Sequence, residues 1–553
     1  MDTGPVVQPP KAWPSWKLAP PIAALTQGLV VNGFGKLPTG WALFLEIGTP
    51  DTPELGGGAW LRTLESVIPV TPAMPPDRSD PDMQSQAAAL AFSWTGLERM
   101  KLPETTLASF ARHFREGMMQ EDRLRRLGDR RYDHKLGAGK WLDTVRSGGP
   151  AWSANTPRRP PTDSQVGAHD VTQPVLEERV ITPVTVHAVL LLYARDDAAA
   201  DALAAMVTAA LLPHGVAIVH RLGLVLDVEA AGISREHFGF ADGLSQPAPF
   251  DEEGAVTLGG QEVHAPDKVQ GVPLGEFLIG YRNGHREKAP GPVVPGREGG
   301  NADARPVEAG LSPYPEAEGF YDFGRNGSYL VVRELRQDVA AFWQSMDRNA
   351  ASIQAGDPQH AAHVTAEWLA ERIVGRDREG HLLCPGGRLP PDARGLPDND
   401  YLFHARDPHG GGCPLGSHVR RAHPRDALAP NAKEAPALLA AANNHRILRR
   451  GRKFGPRIVD SRVDDDAERG LLFMCLNTDI ARQFEFIQQT WLLNSDFATL
   501  YDEVDPLVGP DGRMTIREDP LRRTVHVQTY VNMAGGDYFF LPSLPALRYL
   551  AML

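Results

Sequence analysis

Residues 187–225 read HAVLLLYARDDAAADALAAMVTAALLPHGVAIVHRLGLV, and the rest of the fold can be read outward from them. The first eight residues form a short apolar run followed by charge, which predicts a buried strand over 187–194. The Ala-rich segment that follows predicts a helix over 198–211, Gly215 supplies the turn, and 216–225 reads as a second strand. A strand, a single helix and a strand in succession suggest an α+β sandwich, with helices covering one face of a mostly antiparallel sheet.

The same grammar continues on both sides. Upstream, 41–47 (WALFLEI) predicts a strand, and 59–67 predicts a helix through its spaced Trp60, Leu61, Leu64 and Val67. Downstream, 276–281 and 329–335 predict strands, while 337–346 and 366–374 predict helices, the second closed by Gly375. Two similar lobes are expected. Three Pro/Gly/charge-rich stretches, about 148–178, 284–319 and 384–400, read as surface insertions, and the basic run over 123–131 as a solvated helix end.

Bulk properties narrow the function. A chain of 553 residues can hold two or three domains, and 42% hydrophobic with 23% charged residues is the balance of a soluble globular protein. A net charge of -12 excludes a general nucleic-acid or anionic-membrane binder, which needs a positive field. No apolar run is long enough to span a membrane. With only Cys384, Cys413 and Cys475, and no basic-then-apolar start, the chain is expected in a reducing cytoplasm.

Four segments could carry chemistry. In 238–247 (FGFADGLSQP), Asp242 stands between glycines, where Gly239 and Gly243 would let a flat ligand approach. The same pattern also fits a plain turn in which Asp242 bonds its own backbone. The stretch 404–423 (HARDPHGGGCPLGSHVRRAH) holds four histidines and one cysteine. Zinc would want a C-x-x-C pair that is absent, whereas a haem iron needs one axial imidazole facing an apolar slot; spacing alone does not choose among the four. In 445–456 (HRILRRGRKFGP) the arginines could bind an anion, pair with surface carboxylates or form an exposed helix end. Finally, 471–494 opens as an apolar strand, and Asp479 stands where a helix should begin, as an N-cap or as the partner of a histidine.

Taken in order, these segments resemble the dye-decolorizing (DyP-type) haem peroxidase family, one of its longer-chain subfamilies. Thr26-Gln27-Gly28 with 33–38 (GFGKLP), the G-x-x-D-G of 239–243, Cys413-Pro414 through His418-Val419-Arg420-Arg421 with Pro424-Arg425, 445–451, 482–488 (RQFEFIQ) and 535–542 (GGDYFFLP) follow the family's order. The resemblance implies two ferredoxin-like α+β lobes with mostly antiparallel sheets, in the manner of a dimeric α/β barrel. After a tail over 1–24, one lobe is expected over 25–250 and a haem-binding lobe over 251–553.

The resemblance also implies the site. His418 would be the axial ligand of haem b, with His423 its competitor. Asp242 and Arg449 would act on hydrogen peroxide, and Asp479 would hold the outer nitrogen of His418. Gly239, Gly243, Leu471 and Phe473 would line the cofactor. The implied activity is oxidation of dyes, phenols or other organic donors in one-electron steps through a ferryl intermediate, by a monomer or homo-oligomer that binds neither nucleic acid nor membrane. A carboxylate base with a pKa of about 3.9, in place of a histidine at about 6.5, implies an acidic optimum. The alternative is a haem-binding or trafficking protein with incidental peroxidase activity.

Overall fold

Strands that are apolar on both faces must be covered on both faces. The computed structural model, which describes residues 16–48, 56–74, 85–132, 141–143, 152–153, 184–228 and 233–553, meets this demand with a closed ring of strands. Its members are β1 (Thr39–Ile47), β2 (Gln86–Phe92), β3 (Ala188–Ala194), β4 (Val216–Val225), β5 (Ser328–Gln337), β6 (Arg452–Phe454), β7 (Gly470–Asn477) and β8 (Val531–Leu541). The order around the ring is β4-β1-β3-β2-β8-β5-β7-β6 and back to β4, with every neighbouring pair antiparallel.

That order repeats itself. The first four strands and the last four each run fourth, first, third, second, which is the ferredoxin-like arrangement expected from the sequence. The two quartets join where Phe540 lies opposite Phe92 and where Lys453 lies opposite Val225. Helix α1 (Ala59–Val67) connects β1 to β2, and α2 (Asp197–Leu211) connects β3 to β4. In the second quartet, α3 (Val339–Gly356) and α4 (Ala366–Val374) follow β5, and two wide helical turns, Ala481–Glu485 and Ile487–Leu492, lie between β7 and β8.

Side-chain alternation separates two cores. Leu43, Leu45, Leu190 and Leu192 pack outward with Trp60, Leu64, Leu203 and Val207 of α1 and α2. Ala42, Phe44, Val189 and Leu191 point inward to join Val332, Leu472, Met474 and Leu476 of the other quartet. Truncating one such leucine to alanine would cost about 2–5 kcal/mol. The caps follow local chemistry: Asp196 accepts from the Ala199 N–H at 2.8 Å, Thr365 from the Trp368 N–H at 3.1 Å, and Gly375 ends α4 in the left-handed region at φ +97°. Among the described residues no helix is long and apolar enough to cross a membrane.

Four expectations need correction. Residues 276–281 are not a strand. A single tight turn, Leu274–Glu276, buries Glu276 on Arg482 (2.6 Å) while Phe277, Leu278 and Ile279 are all buried, so the run does not alternate between faces. The helix expected over 337–346 starts later, because Gln337 completes β5 and Asp338 caps the helix by accepting from Ala341 at 2.9 Å. The basic run is not wholly a solvated helix end: the helix Glu121–Arg126 does end in it with Arg125 and Arg126 exposed, but Arg123 is 2% exposed, paired with Glu485 at 2.7 Å and Glu116 at 3.0 Å. Nor do the later insertions merely ride on the surface. Val294, Ala309 and Leu311 enter the outer core, and Leu389 packs in a cluster with Tyr401 and Phe403. The expected insertion over 148–178, apart from 152–153, lies outside the described residues, as do residues 1–15 of the tail.

Candidate active site

The two quartets differ on their outer faces. In the first, α1 and α2 fill the sheet surface; in the second, β5, β7 and β8 present Arg333, Leu335, Gln337, Leu471, Phe473, Val531 and Met533 to a cavity of about 320 Å³. Register assembles this wall, since Leu335 lies opposite both Leu471 and Met533 in the neighbouring strands. Leu471 and Phe473, two residues apart on one face of β7, therefore both reach the cavity. Phe484, Ile487, Trp491 and Leu492 of the wide helical turns close the space from another side.

His418 opens the short helix α5 (His418–Ala422) and reaches the same cavity. Its Nδ1 meets Oδ2 of Asp505 at 2.9 Å, which leaves Nε2 as the nitrogen available to the cavity. Asp505 is fully buried, and its other oxygen accepts from the N–H groups of Leu507 (3.0 Å) and Val508 (2.9 Å). Burial alone would push this carboxyl up, but the charge and hydrogen bond of His418 hold it below the usual carboxylate range. The same pair raises His418, against the effect of its own burial.

The expected partner of His418, Asp479, is elsewhere. It is 45% exposed, accepts from the Arg482 N–H at 3.0 Å and lies 3.6 Å from that guanidinium, so it caps the helical turn after β7. Asp505 takes the role assigned to it. Sequence reasoning missed Asp505 because 87 residues separate it from the histidine and no motif marks it. His423, the competing ligand, also lines the cavity, but its Nε2 faces the Arg446 guanidinium at 3.2 Å. Burial, together with Arg446 and Arg425, pushes its pKa well below normal. The four histidines do not form a metal cluster: among the described residues no three His, Cys, Asp or Glu side chains could hold an ion.

Asp242 comes from the loop between the quartets. Ser234–Arg235 pairs antiparallel with Ala241–Asp242, so the loop is a hairpin. Asp242 Oδ1 accepts from the Gly243 N–H at 2.6 Å and lies 3.4 Å from Arg449. Arg449 also donates to the Ser245 carbonyl at 3.0 Å, and Gln246 exchanges hydrogen bonds with the Arg449 backbone in both directions at 3.2 Å. The stretch 445–456 is thus not an exposed helix end. It contains the strands Leu448–Arg449 and Arg452–Phe454. Gly243 lines the cavity, whereas Gly239 turns away from it: at φ +96°, a Cβ there would sit 2.4 Å from Arg378.

A group of buried cations completes the wall. Arg376, Arg425 and Arg446 are 5%, 1% and 6% exposed, and their hydrogen bonds go to carbonyls, amide oxygens, a hydroxyl and His423. None forms an ion pair with a carboxylate among the described residues. Burial, Arg425 and Arg449 push Arg446 down to about 9. Such a group favours an anionic ligand at this edge of the cavity.

No family model matches the chain. In sequence it is similar to a dye-decolorizing peroxidase of Mycena epipterygia, 28% identical over 57% of this chain and 57% of that one. It is also similar to the multifunctional dye peroxidase DyP2 of Amycolatopsis, 29% identical over 62% of this chain and 66% of that one. The matched region thus spans less than two thirds of each of these relatives. In fold it is similar to a DyP-type peroxidase of Anabaena, with a TM-score of 0.63 and 21% identity over 96% of this chain and 95% of that one. A dye-decolorizing peroxidase solved in complex with 2,6-dimethoxyphenol also has a TM-score of 0.63, with 21% identity over 97% of this chain and all of that one.

Proposed function

We propose that this chain, which shares the fold of the DyP-type peroxidases and is related in sequence to curated dye-decolorizing peroxidases, is itself a haem peroxidase that oxidises dyes, phenols or similar donors with hydrogen peroxide. The observation that carries this reading is one cavity lined both by an imidazole with a buried carboxylate behind it and by a carboxylate–guanidinium pair. The residues suit haem b. Apolar side chains offer a slot for a macrocycle, His418 offers a bare Nε2 to iron, and Arg376, Arg425 and Arg446 offer charge to two propionates. The division into a lobe over 25–250 and a haem-binding lobe over 251–553 belongs to the same reading, with the Asp242 hairpin reaching over from the first.

A bound haem would supply the redox chemistry that links peroxide reduction to one-electron oxidation of the donor. The protein's part is proton placement and charge. Asp505 keeps the His418 proton on Nδ1, so Nε2 stays available as a ligand and the imidazole becomes a stronger electron donor. With Oδ1 engaged by Gly243 and Arg449, Asp242 has Oδ2 to take a proton from one peroxide oxygen and return it to the other. Arg449 is permanently charged and fixed by the Ser245 carbonyl, so it stabilises the negative charge that develops as the O–O bond breaks. Mere haem storage would need neither group. The free thiols of Cys384, Cys413 and Cys475 suit a reducing compartment such as the cytoplasm.

The test is an absorption spectrum and a dye-turnover assay on the wild type, His418→Ala and Asp242→Asn. The wild type should bind haem and turn over, His418→Ala should lose the histidine-ligated spectrum, and Asp242→Asn should keep that spectrum but lose turnover. A wild type that binds no haem, or binds it without peroxide-dependent turnover, would overturn the proposal.

A further inference from the structure

Besides Asp242 the cavity wall contains two acidic residues that the proposed chemistry does not use, Asp129, which pairs with Arg333, and Glu236. Glu236 lies at the start of the Asp242 hairpin, where its N–H donates to the Phe240 carbonyl at 3.1 Å and the Gly239 N–H donates to its carbonyl at 3.0 Å. The side chain curls into the turn. Its two oxygens accept from the N–H groups of Phe238 (2.7 Å) and Phe240 (2.8 Å), and one also accepts from Gln337 Nε2 at 2.7 Å. Gln337 is the last residue of β5, so this carboxyl ties the hairpin to the sheet of the second quartet.

No lysine, arginine or histidine forms an ion pair with Glu236 among the described residues, so three amide donors hold a carboxyl facing an apolar cavity. Burial pushes it up to about 7, the three hydrogen bonds pull the other way, and Asp242 adds to the rise. A carboxyl used only for packing could be replaced by an apolar side chain at lower cost. What it specifies is the shape of the turn. Phe238 and Phe240 are 1% and 3% exposed, and the Phe238 ring lies 4.6 Å from that of Phe342, tilted by 38°, so the far end of the hairpin is fixed by apolar packing. The near end, which carries Asp242, is held by the two-residue ladder, by the Ala241 N–H donating to the Arg378 carbonyl at 3.1 Å and by the contacts of Ser245 and Gln246 with Arg449, and Glu236 adds the tie from the turn itself to β5.

We propose that Glu236 is a positioning residue for the peroxide step: by folding the 236–240 turn and tying it to Gln337, it sets where the Asp242 carboxylate stands relative to Arg449. This rests on the peroxidase reading above. Glu236 does not touch the reacting atoms, and its effect passes entirely through Asp242.

The experiment compares haem-loaded wild type, Glu236→Gln and Glu236→Asp by stopped-flow reaction with hydrogen peroxide, by separate measurement of the donor-oxidation step, and by hydrogen exchange over 234–242 with and without haem. Glu236→Gln keeps the shape but turns one acceptor into a donor facing donors. It should slow the peroxide step about 10- to 100-fold, as expected for a reacting group misplaced on the ångström scale. The donor step and haem affinity should stay within about twofold, since Glu236 contacts neither the ligand imidazole nor the cation group. Exchange at the Phe238 and Phe240 N–H groups should rise, and Glu236→Asp should recover part of the rate. An unchanged peroxide rate in Glu236→Gln, or a loss matched by an equal loss of haem affinity, would overturn the positioning role. A wild type without any peroxide reaction would remove the peroxidase reading and this role with it.

Discussion

Replacing Asp505 by asparagine tests the site at its least visible joint. The Asp505 carboxylate accepts from His418 Nδ1 with one oxygen and from two backbone N–H groups with the other. Asparagine can keep the backbone pair while presenting an amide N–H to Nδ1. The ring must then accept at Nδ1 and carry its proton on Nε2, the nitrogen that faces the cavity and would bind iron. A hydrogen bond to a charged group contributes about 1.5–3 kcal/mol, so haem affinity should fall about 10- to 150-fold at about 1.4 kcal/mol per tenfold. Haem titration of the apoprotein, followed in the Soret band, measures this directly. Asp479→Asn is the matched control. Asp479 is 45% exposed and caps Arg482, a role asparagine fills equally well, so affinity should not change. Equal losses in the two variants, or a change of less than about twofold in Asp505→Asn, would refute the assignment of His418 as a ligand set by Asp505.

Three further outcomes are expected. Asp242→Asn should lower the peroxide rate by about 10²- to 10⁴-fold, the usual contribution of a general acid–base group, and Arg449→Lys should lower it less, because the charge survives but the fork does not; stopped-flow kinetics separates them. Buried His187 accepts from the Ile47 N–H at 2.8 Å, and burial with the nearby charge of Arg99 pushes it down to about 4. Between about 6.5 and 4 the unfolded chain binds the extra proton, so stability should fall with pH through that window, by up to about 3 kcal/mol from this residue. Urea unfolding of the apoprotein at pH 7, 5 and 4 should show a flatter acid limb in His187→Gln. Gly375→Ala should cost about 1–3 kcal/mol in a thermal melt, because φ there is +97° and a Cβ would stand 2.8 Å from both Cys413 Sγ and Ser417 Oγ.

Much of the fold was legible because it rests on local apolar patterning. Strands 216–225 and 41–47 and helix 59–67 are written in runs whose period and length leave few alternatives. Residues 276–281 were misread for the same reason: EFLIGY looks like a strand, and only Arg482, far along the chain, explains why Glu276 is buried. At the site, Asp242, His418 and Arg449 stand in recognisable company, while Asp505, Glu236 and Gln337 act through contacts that no spacing rule encodes. The error over Asp479 is instructive. An aspartate at the end of an apolar strand is most simply a cap, and local chemistry was the better guide than the resemblance.

The closed ring has a temporal consequence. β8 is hydrogen-bonded to β5 along its length and meets β2 at Phe540 and Phe92, positions about 450 residues apart in the chain. At a synthesis rate of about 5–20 residues per second, β2 leaves the ribosome roughly 20–90 s before its partner exists. During that interval the first quartet can form its own pairings, but its β4 edge stays open until β6 is made and its β2 edge until β8 is made, and open edges invite association. The cavity cannot form in that period, because Val531 and Met533 of β8 belong to its wall. Capture of the proposed haem is therefore expected to be a late event in the life of the nascent chain, after the open edges have been closed.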